Sequence, residues 1–173
     1  MSRSRPHHWH GAELPADHPV VVGVVPGQNP ATVRQAAGLA RAMGVGLVCV
    51  WVDASRTFVG EDPDGTVMTT PLDPDQDDDG HRLRVEKDMN HQLKEHLAGV
   101  DVPWLFVYTV GEEARALSAV AVDHDASVIA VGPRRHGLSG WMNELVGGSV
   151  AGRLAHTQHR PVTILSAERQ EHA

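Results

Sequence analysis

Apolar residues in this chain fall into short unbroken runs, and between the runs they recur at every third or fourth position. Val20–Val25 is a β-branched run opened by Pro19 and broken by Pro26-Gly27, which predicts a buried strand. From Pro30 to Met43, Val33, Ala36, Ala37 and Ala40 lie on one stripe, which predicts a helix. Asn29 suits its N-cap, Pro30 its first position and Gly44 its stop. Leu47–Val52 is apolar throughout and predicts a second strand. Val85, Met89, Leu93 and Leu97 recur four apart, so a helix is expected over about 81–97. Leu105–Thr109 reads as a third strand and Ser127–Val131 as a fourth, with a helix over 112–123 between them. A short helix over 149–156 and a strand Pro161–Leu165 complete the series.

Two stretches lack this periodicity. The first 18 residues are polar and rich in His and Pro, and read as a flexible arm. Residues 54–80 read as a long acidic loop, with turn chemistry at Asp62-Pro63-Asp64-Gly65 and a small hairpin around 66–70. The expected organisation is an arm (1–18), one α/β domain (19–166) and a tail (167–173). Strands that are apolar on both faces are the mark of a parallel sheet covered by helices on both sides. Right-handed crossovers then give a doubly wound sandwich. Ligands of such folds bind at the carboxyl ends of the strands, near the topological switch point. That rule selects Val25–Gln28, Val52–Asp53, Thr109–Gly111 and Gly132–Ser149.

Length and charge sharpen this picture. A chain of 173 residues suits one domain. The formal charge of −7 is concentrated, because residues 61–79 hold eight acids and no base, leaving the rest near neutral. No basic stripe is present, so no nucleic-acid partner is expected. No apolar run reaches ~18 residues, so no membrane span is expected. The first residues lack the apolar stretch of a signal peptide. The single Cys49 cannot form an internal disulfide. A cytoplasmic domain is the expectation.

The segment from Gly132 to Ser149 carries the most chemistry. It follows a buried strand, contains glycines at 132, 137, 140, 147 and 148, and leads into a helix at Ser149. Glycines let backbone N–H groups approach an anion, and a helix N-terminus offers free donors and a positive dipole end. Arg134, Arg135 and His136 add charge or donors, and the Ser149 hydroxyl adds another. This pattern suits a phosphate. It serves equally as a flexible strand-to-helix turn. It is neither a Walker A loop nor a Gly-x-Gly-x-x-Gly fingerprint.

The Val20–Val25 strand with its helix, Ala126–Gly132, the glycine loop, Gly148-Ser149-Val150 and His159–Leu165 together resemble a universal stress protein domain over residues 19–166. The resemblance implies a five-stranded parallel sheet in the order 3-2-1-4-5. It also implies an ATP or AMP ligand, with Mg as companion ion, whose phosphates lie on a Gly-x2-Gly-x9-Gly-Ser/Thr loop. A homodimer through the last strand, Val162–Leu165, is implied as well. Carried over position by position, the nucleotide contacts are Val24, Val25, Pro26 and Gly27 at the first strand and Val52 at the second. Gly132, Arg134, Arg135, Gly148, Ser149 and Val150 would surround the phosphates. Two places depart from the family pattern. Val25 stands where the family usually has an Asp, and Arg135 stands where the second loop glycine belongs. Gly148 also lies sixteen positions after Gly132, three more than the family spacing.

Other residues support weaker chemistry. His7, His8 and His10, or His156 and His159, lack the convergent ligands of a zinc site, and no metal is expected. The acids of 73–79 lack the glycine and terminal Glu of a calcium loop. Glu112 and Glu113 suit the start of a helix, where carboxylates favour the dipole. No catalytic residue is assigned, since neither a phosphoacceptor's acidic cluster nor a Gly-x-Ser-x-Gly turn occurs. Two functions therefore stand: a nucleotide-binding stress-response regulator, and a dimeric interaction module of the same fold that binds no nucleotide.

Overall fold

The run after Pro19 becomes a central strand because both of its faces are covered. Val20, Val22 and Val24 pack into one buried cluster and Val21 into another on the opposite face. The computed structural model describes residues 8–10, 18–63, 67–73, 79–133 and 149–166. In chain order these form β1 (His8–His10), β2 (Val20–Val24), α1 (Pro30–Met43), β3 (Leu47–Asp53), β4 (Arg56–Glu61) and β5 (Val67–Pro71). There follow α2 (Asp79–His96), β6 (Trp104–Val110), α3 (Glu113–Asp123), β7 (Val128–Val131), α4 (Val150–Thr157) and β8 (Val162–Ile164).

The main sheet has the order β1-β6-β3-β2-β7-β8. From β6 to β8 every neighbour is parallel, with Val20 paired to Leu47 on one side and to Val128 on the other. These five strands are the expected ones in the expected order, third-second-first-fourth-fifth. Small residues let α1 lie close to the sheet: Ala36, Ala37 and Ala40 are fully buried beside Val33. Met89, Leu93 and Leu97 of the α2 segment join the same cluster. Ala114, Leu117, Val120 and Ala121 of α3 and Leu154 of α4 cover the other face. A Cβ at Gly23 would come 3.3 Å from Leu117 Cδ1, so this glycine lets α3 sit against the strand. No helix among the described residues is long and apolar enough to cross a membrane.

The caps follow their chemistry. The Asn29 side chain accepts from the Ala31 N–H, and Gly44 ends α1 in the left-handed region at φ 69°. Glu112 lies just outside α3 and accepts from the N–H groups of Ala114 and Arg115.

Two expectations are corrected. The segment read as a flexible arm contains β1, which pairs antiparallel with β6, His8 opposite Tyr108 and His10 opposite Phe106. Backbone pairing at an open sheet edge requires no apolar run, so the composition of the arm concealed it. The acidic loop, read as a loop with a small hairpin around 66–70, contains a larger antiparallel hairpin of β4 and β5, and α2 begins at Asp79. Arg56 starts β4 as a buried residue and holds Thr69 of β5, a pairing with no signature in local hydrophobicity.

Candidate functional site

The chain leaves the carboxyl end of β2 through a tight turn. Gln28 N–H donates to the Val25 carbonyl at 3.3 Å, Pro26 precedes Gly27, and Gly27 has φ 67°. Pro followed by a positive-φ glycine is the pattern of a type II turn. The Gln28 side chain folds back, and its Oε1 accepts from the Val25 N–H at 3.1 Å. Gln28 therefore closes the turn with both its backbone and its side chain. The Val25 side chain is exposed.

β7 lies beside β2 and ends at Val131, so Gly132 and the Val25 turn emerge next to each other. A Cβ at Gly132 would lie 3.2 Å from Thr32 Cγ2, so the first turn of α1 packs against the backbone that leaves β7. Thr32 is itself buried. α1 covers one face of the sheet and α4 the other. The crevice between the ends of β2 and β7 is therefore the switch point of the doubly wound sheet.

Ser149 is the N-cap of α4. Its Oγ accepts from the Gly152 N–H at 3.1 Å, and it is partly exposed, as is Val150. An N-cap satisfies one donor of the first turn, and other backbone N–H groups at a helix start remain without an intrahelical acceptor. Arg153, on the second turn, reaches α3: its Nε lies 3.1 Å from Glu112 Oε1 and its Nη2 3.6 Å from Glu113 Oε2. The two helix starts that border the crevice are thus tied by charge, and the glutamates draw on the Arg153 charge.

Most of the sequence-selected positions meet at this end of the sheet. Val24 is buried at the end of β2, Val25, Pro26 and Gly27 form the exposed turn, and Val52 packs half-buried against the α3–α4 cluster. Gly132, Ser149 and Val150 are partly exposed. Arg134, Arg135 and Gly148 lie outside the described residues.

A polar cluster beside the crevice, built around the buried Tyr108, Glu86 and Arg56, has no motif in the sequence. Asp53, at the end of β3, accepts through Oδ1 from the N–H (3.0 Å) and Oγ (2.6 Å) of Ser55, and through Oδ2 from the Tyr108 hydroxyl at 3.4 Å. Arg82 of α2 lies over the Tyr108 ring at 5.2 Å and pairs at 2.8 Å with Glu86, whose side chain is 2% exposed. Trp51 contacts the same ring, with centroids 5.0 Å apart. Arg56 Nε and Nη2 donate to Thr69 Oγ1 and the Thr69 carbonyl at 2.8 and 3.1 Å. Burial pushes the Tyr108 hydroxyl well above its ordinary range, and the Asp53 charge adds to this, with Arg82 and Arg56 opposing. The phenol therefore stays a donor toward Asp53. A lone Arg just after a strand, in a stretch otherwise acidic, was the only available signal.

Comparison with known proteins agrees with this architecture. The family described as Universal stress protein family matches residues 18–166. No curated protein sequence matches the chain. A universal stress protein structure from Archaeoglobus fulgidus superposes with a TM-score of 0.58 at 20% identity, covering 86% of this chain and 98% of that one. The Archaeoglobus fulgidus universal stress protein in complex with dAMP gives 0.57 at 18% identity, covering 86% and 98%. A universal stress protein in complex with cAMP gives 0.52 at 22% identity, covering 87% and 97%.

Proposed function

The chain belongs to the universal stress protein family, and from that premise we propose that it is a stress-response regulator that binds an adenine nucleotide where β2 and β7 end, without fast catalysis. The observation that carries this reading is the convergence of the Val25–Gln28 turn, Gly132 and the Ser149 N-cap at the switch point. The dAMP and cAMP complexes of structurally similar proteins support the ligand class. In this reading the exposed turn at Val25, Pro26 and Gly27, with Val24 and Val52 behind it, borders the adenine and ribose. Backbone N–H groups at Gly132, Ser149 and Val150 take the phosphates, with Arg134, Arg135 and Gly148 completing the loop. ATP or AMP is the ligand, and Mg accompanies ATP. The protein works in the cytoplasm as a homodimer through Val162–Leu165, where the exposed Ile164 supplies an apolar contact on the edge strand.

One observation favours a second reading, an interaction module of the same fold without a nucleotide. The Val25 side chain offers no acceptor for an adenine amino group, and the Gln28 side-chain Oε1 already accepts from the Val25 N–H. Titration calorimetry of the full chain with ATP and with AMP separates the two. Saturable heat is expected, and Val25→Asp, which adds an acceptor at an exposed position, is expected to tighten binding by about tenfold. No heat up to millimolar ligand, together with no nucleotide released from the purified protein in mass spectrometry, would leave the module reading in place.

A further inference from the structure

The connection from β3 to α2 is far longer than a crossover requires. Such loops commonly run two to six residues, about, whereas here the β4–β5 hairpin stands between the two elements. Its base is closed by Arg56, which is buried and holds Thr69, and by the Leu72 N–H, which donates to the Ser55 carbonyl at 2.8 Å, and β4 lies against β6. Beyond this base its side chains meet water. Phe58 is 41% exposed, Val59 58% and Met68 44%, with Leu72 at 65% and Leu83 of α2 at 50%. Among the described residues, five of the nine exposed large apolar side chains therefore lie between positions 58 and 83. The ladder places Met68 and Thr70 on one face of the hairpin with Thr57 and Gly60, and a bulge between Phe58 and Gly60 sets Val59 outside the regular pairing. A two-stranded ribbon is marginal in water by itself, and exposed apolar groups concentrated on it mark an interaction surface.

Charge decides what that surface fits. Glu61, Asp62 and Asp73 border the strands and are exposed, and by sequence residues 61–79 hold eight acids and no base. A second copy docking through the same face would bring two such acidic segments together, and an anionic lipid surface would be repelled for the same reason. We infer that the β4–β5 hairpin is a docking surface for a protein segment that is both basic and apolar. Apolar side chains of the partner cover Val59 and Met68, and its Lys or Arg residues face Glu61 and Asp62. This inference is independent of nucleotide binding.

The test uses the full chain and a fluorescent amphipathic peptide of Leu and Lys, followed by anisotropy. Two controls accompany it, one with Glu in place of Lys and one with Ser in place of Leu. Saturable binding of the Leu–Lys peptide alone is expected, weakening as salt rises. Val59→Ser with Met68→Ser is expected to weaken it by about tenfold. Glu61→Lys with Asp62→Lys, which changes only exposed charges and leaves the fold in place, is expected to do the same. The inference is overturned by equal binding of the Glu peptide, by affinity unchanged in both variants, or by no binding. It is also overturned if sedimentation shows self-association that Val59→Ser with Met68→Ser abolishes, or if anionic vesicles bind in place of the peptide.

Discussion

Tyr108 and Cys49 are ionisable groups held where ionisation is costly. Cys49 is fully buried in the cluster under α1, and burial pushes its thiol far above the ordinary 9.0. Tyr108 is raised above its ordinary 10.0 by burial and then by the Asp53 charge. Each holds its proton more tightly in the folded than in the unfolded chain. The resulting stability is complete below the unfolded value and is lost as pH climbs toward the folded one. Stability is therefore expected to fall above about pH 9, as the unfolded chain releases the Cys49 proton first and the Tyr108 proton next, by about 1.4 kcal/mol per pH unit for each group. Urea unfolding midpoints across the alkaline range check this, and Tyr108→Phe should flatten the upper part of the decline. An unchanged midpoint would contradict the assignment. At this scale the sequence was half legible. Asn29 and Glu112 could be assigned to caps from their neighbours. The Asp53–Tyr108–Arg82–Glu86 cluster could not, because its members come from three elements whose meeting is set by the fold.

Among the elements of the described residues, α4 is the shortest helix and depends most on its ends. It has eight residues, and Leu154 is its one buried residue. The Ser149 Oγ satisfies the Gly152 N–H, and the Arg153 pairs with Glu112 and Glu113 tie its first half to α3. Ser149→Ala is expected to lower unfolding stability by about 1 kcal/mol through the lost cap, read as a lower urea midpoint. Among the described residues, the five parallel strands and the four helices were all legible, with ends displaced by at most two residues, because long apolar runs and stripes at helical spacing report burial directly. β1 and β4 were not. β1 has three residues and pairs with a strand distant in sequence. β4 turns a buried Arg toward the body and exposed apolar residues toward water, the reverse of what patterning expects.

For the whole molecule, the two edges of the sheet are treated differently. β1 covers the edge of β6, whereas the outer side of β8 has no neighbouring strand among the described residues. Unpaired N–H and C=O groups on an apolar edge strand recruit other strands. Removing residues 1–10 would open the edge of β6, whose residues Leu105 to Val110 are all buried. Sedimentation velocity is expected to show concentration-dependent species larger than those of the full chain, and an identical distribution would show that β1 does not protect this edge. The order of the strands across the sheet came from the family resemblance, whereas sequence by itself determined the class of fold and the succession of strands and helices. It did so because burial on both faces of a sheet, and on one face of a helix, is written in local spacing. It also located the excess charge in residues 61–79. Only the tertiary structure decided that this acidic stretch borders a hairpin with exposed apolar residues whose strands are joined through Arg56, that Tyr108 donates to Asp53, and that β1 closes an edge of the sheet. Those contacts join residues far apart in the chain, and their energy exists only once the sheet has brought them together.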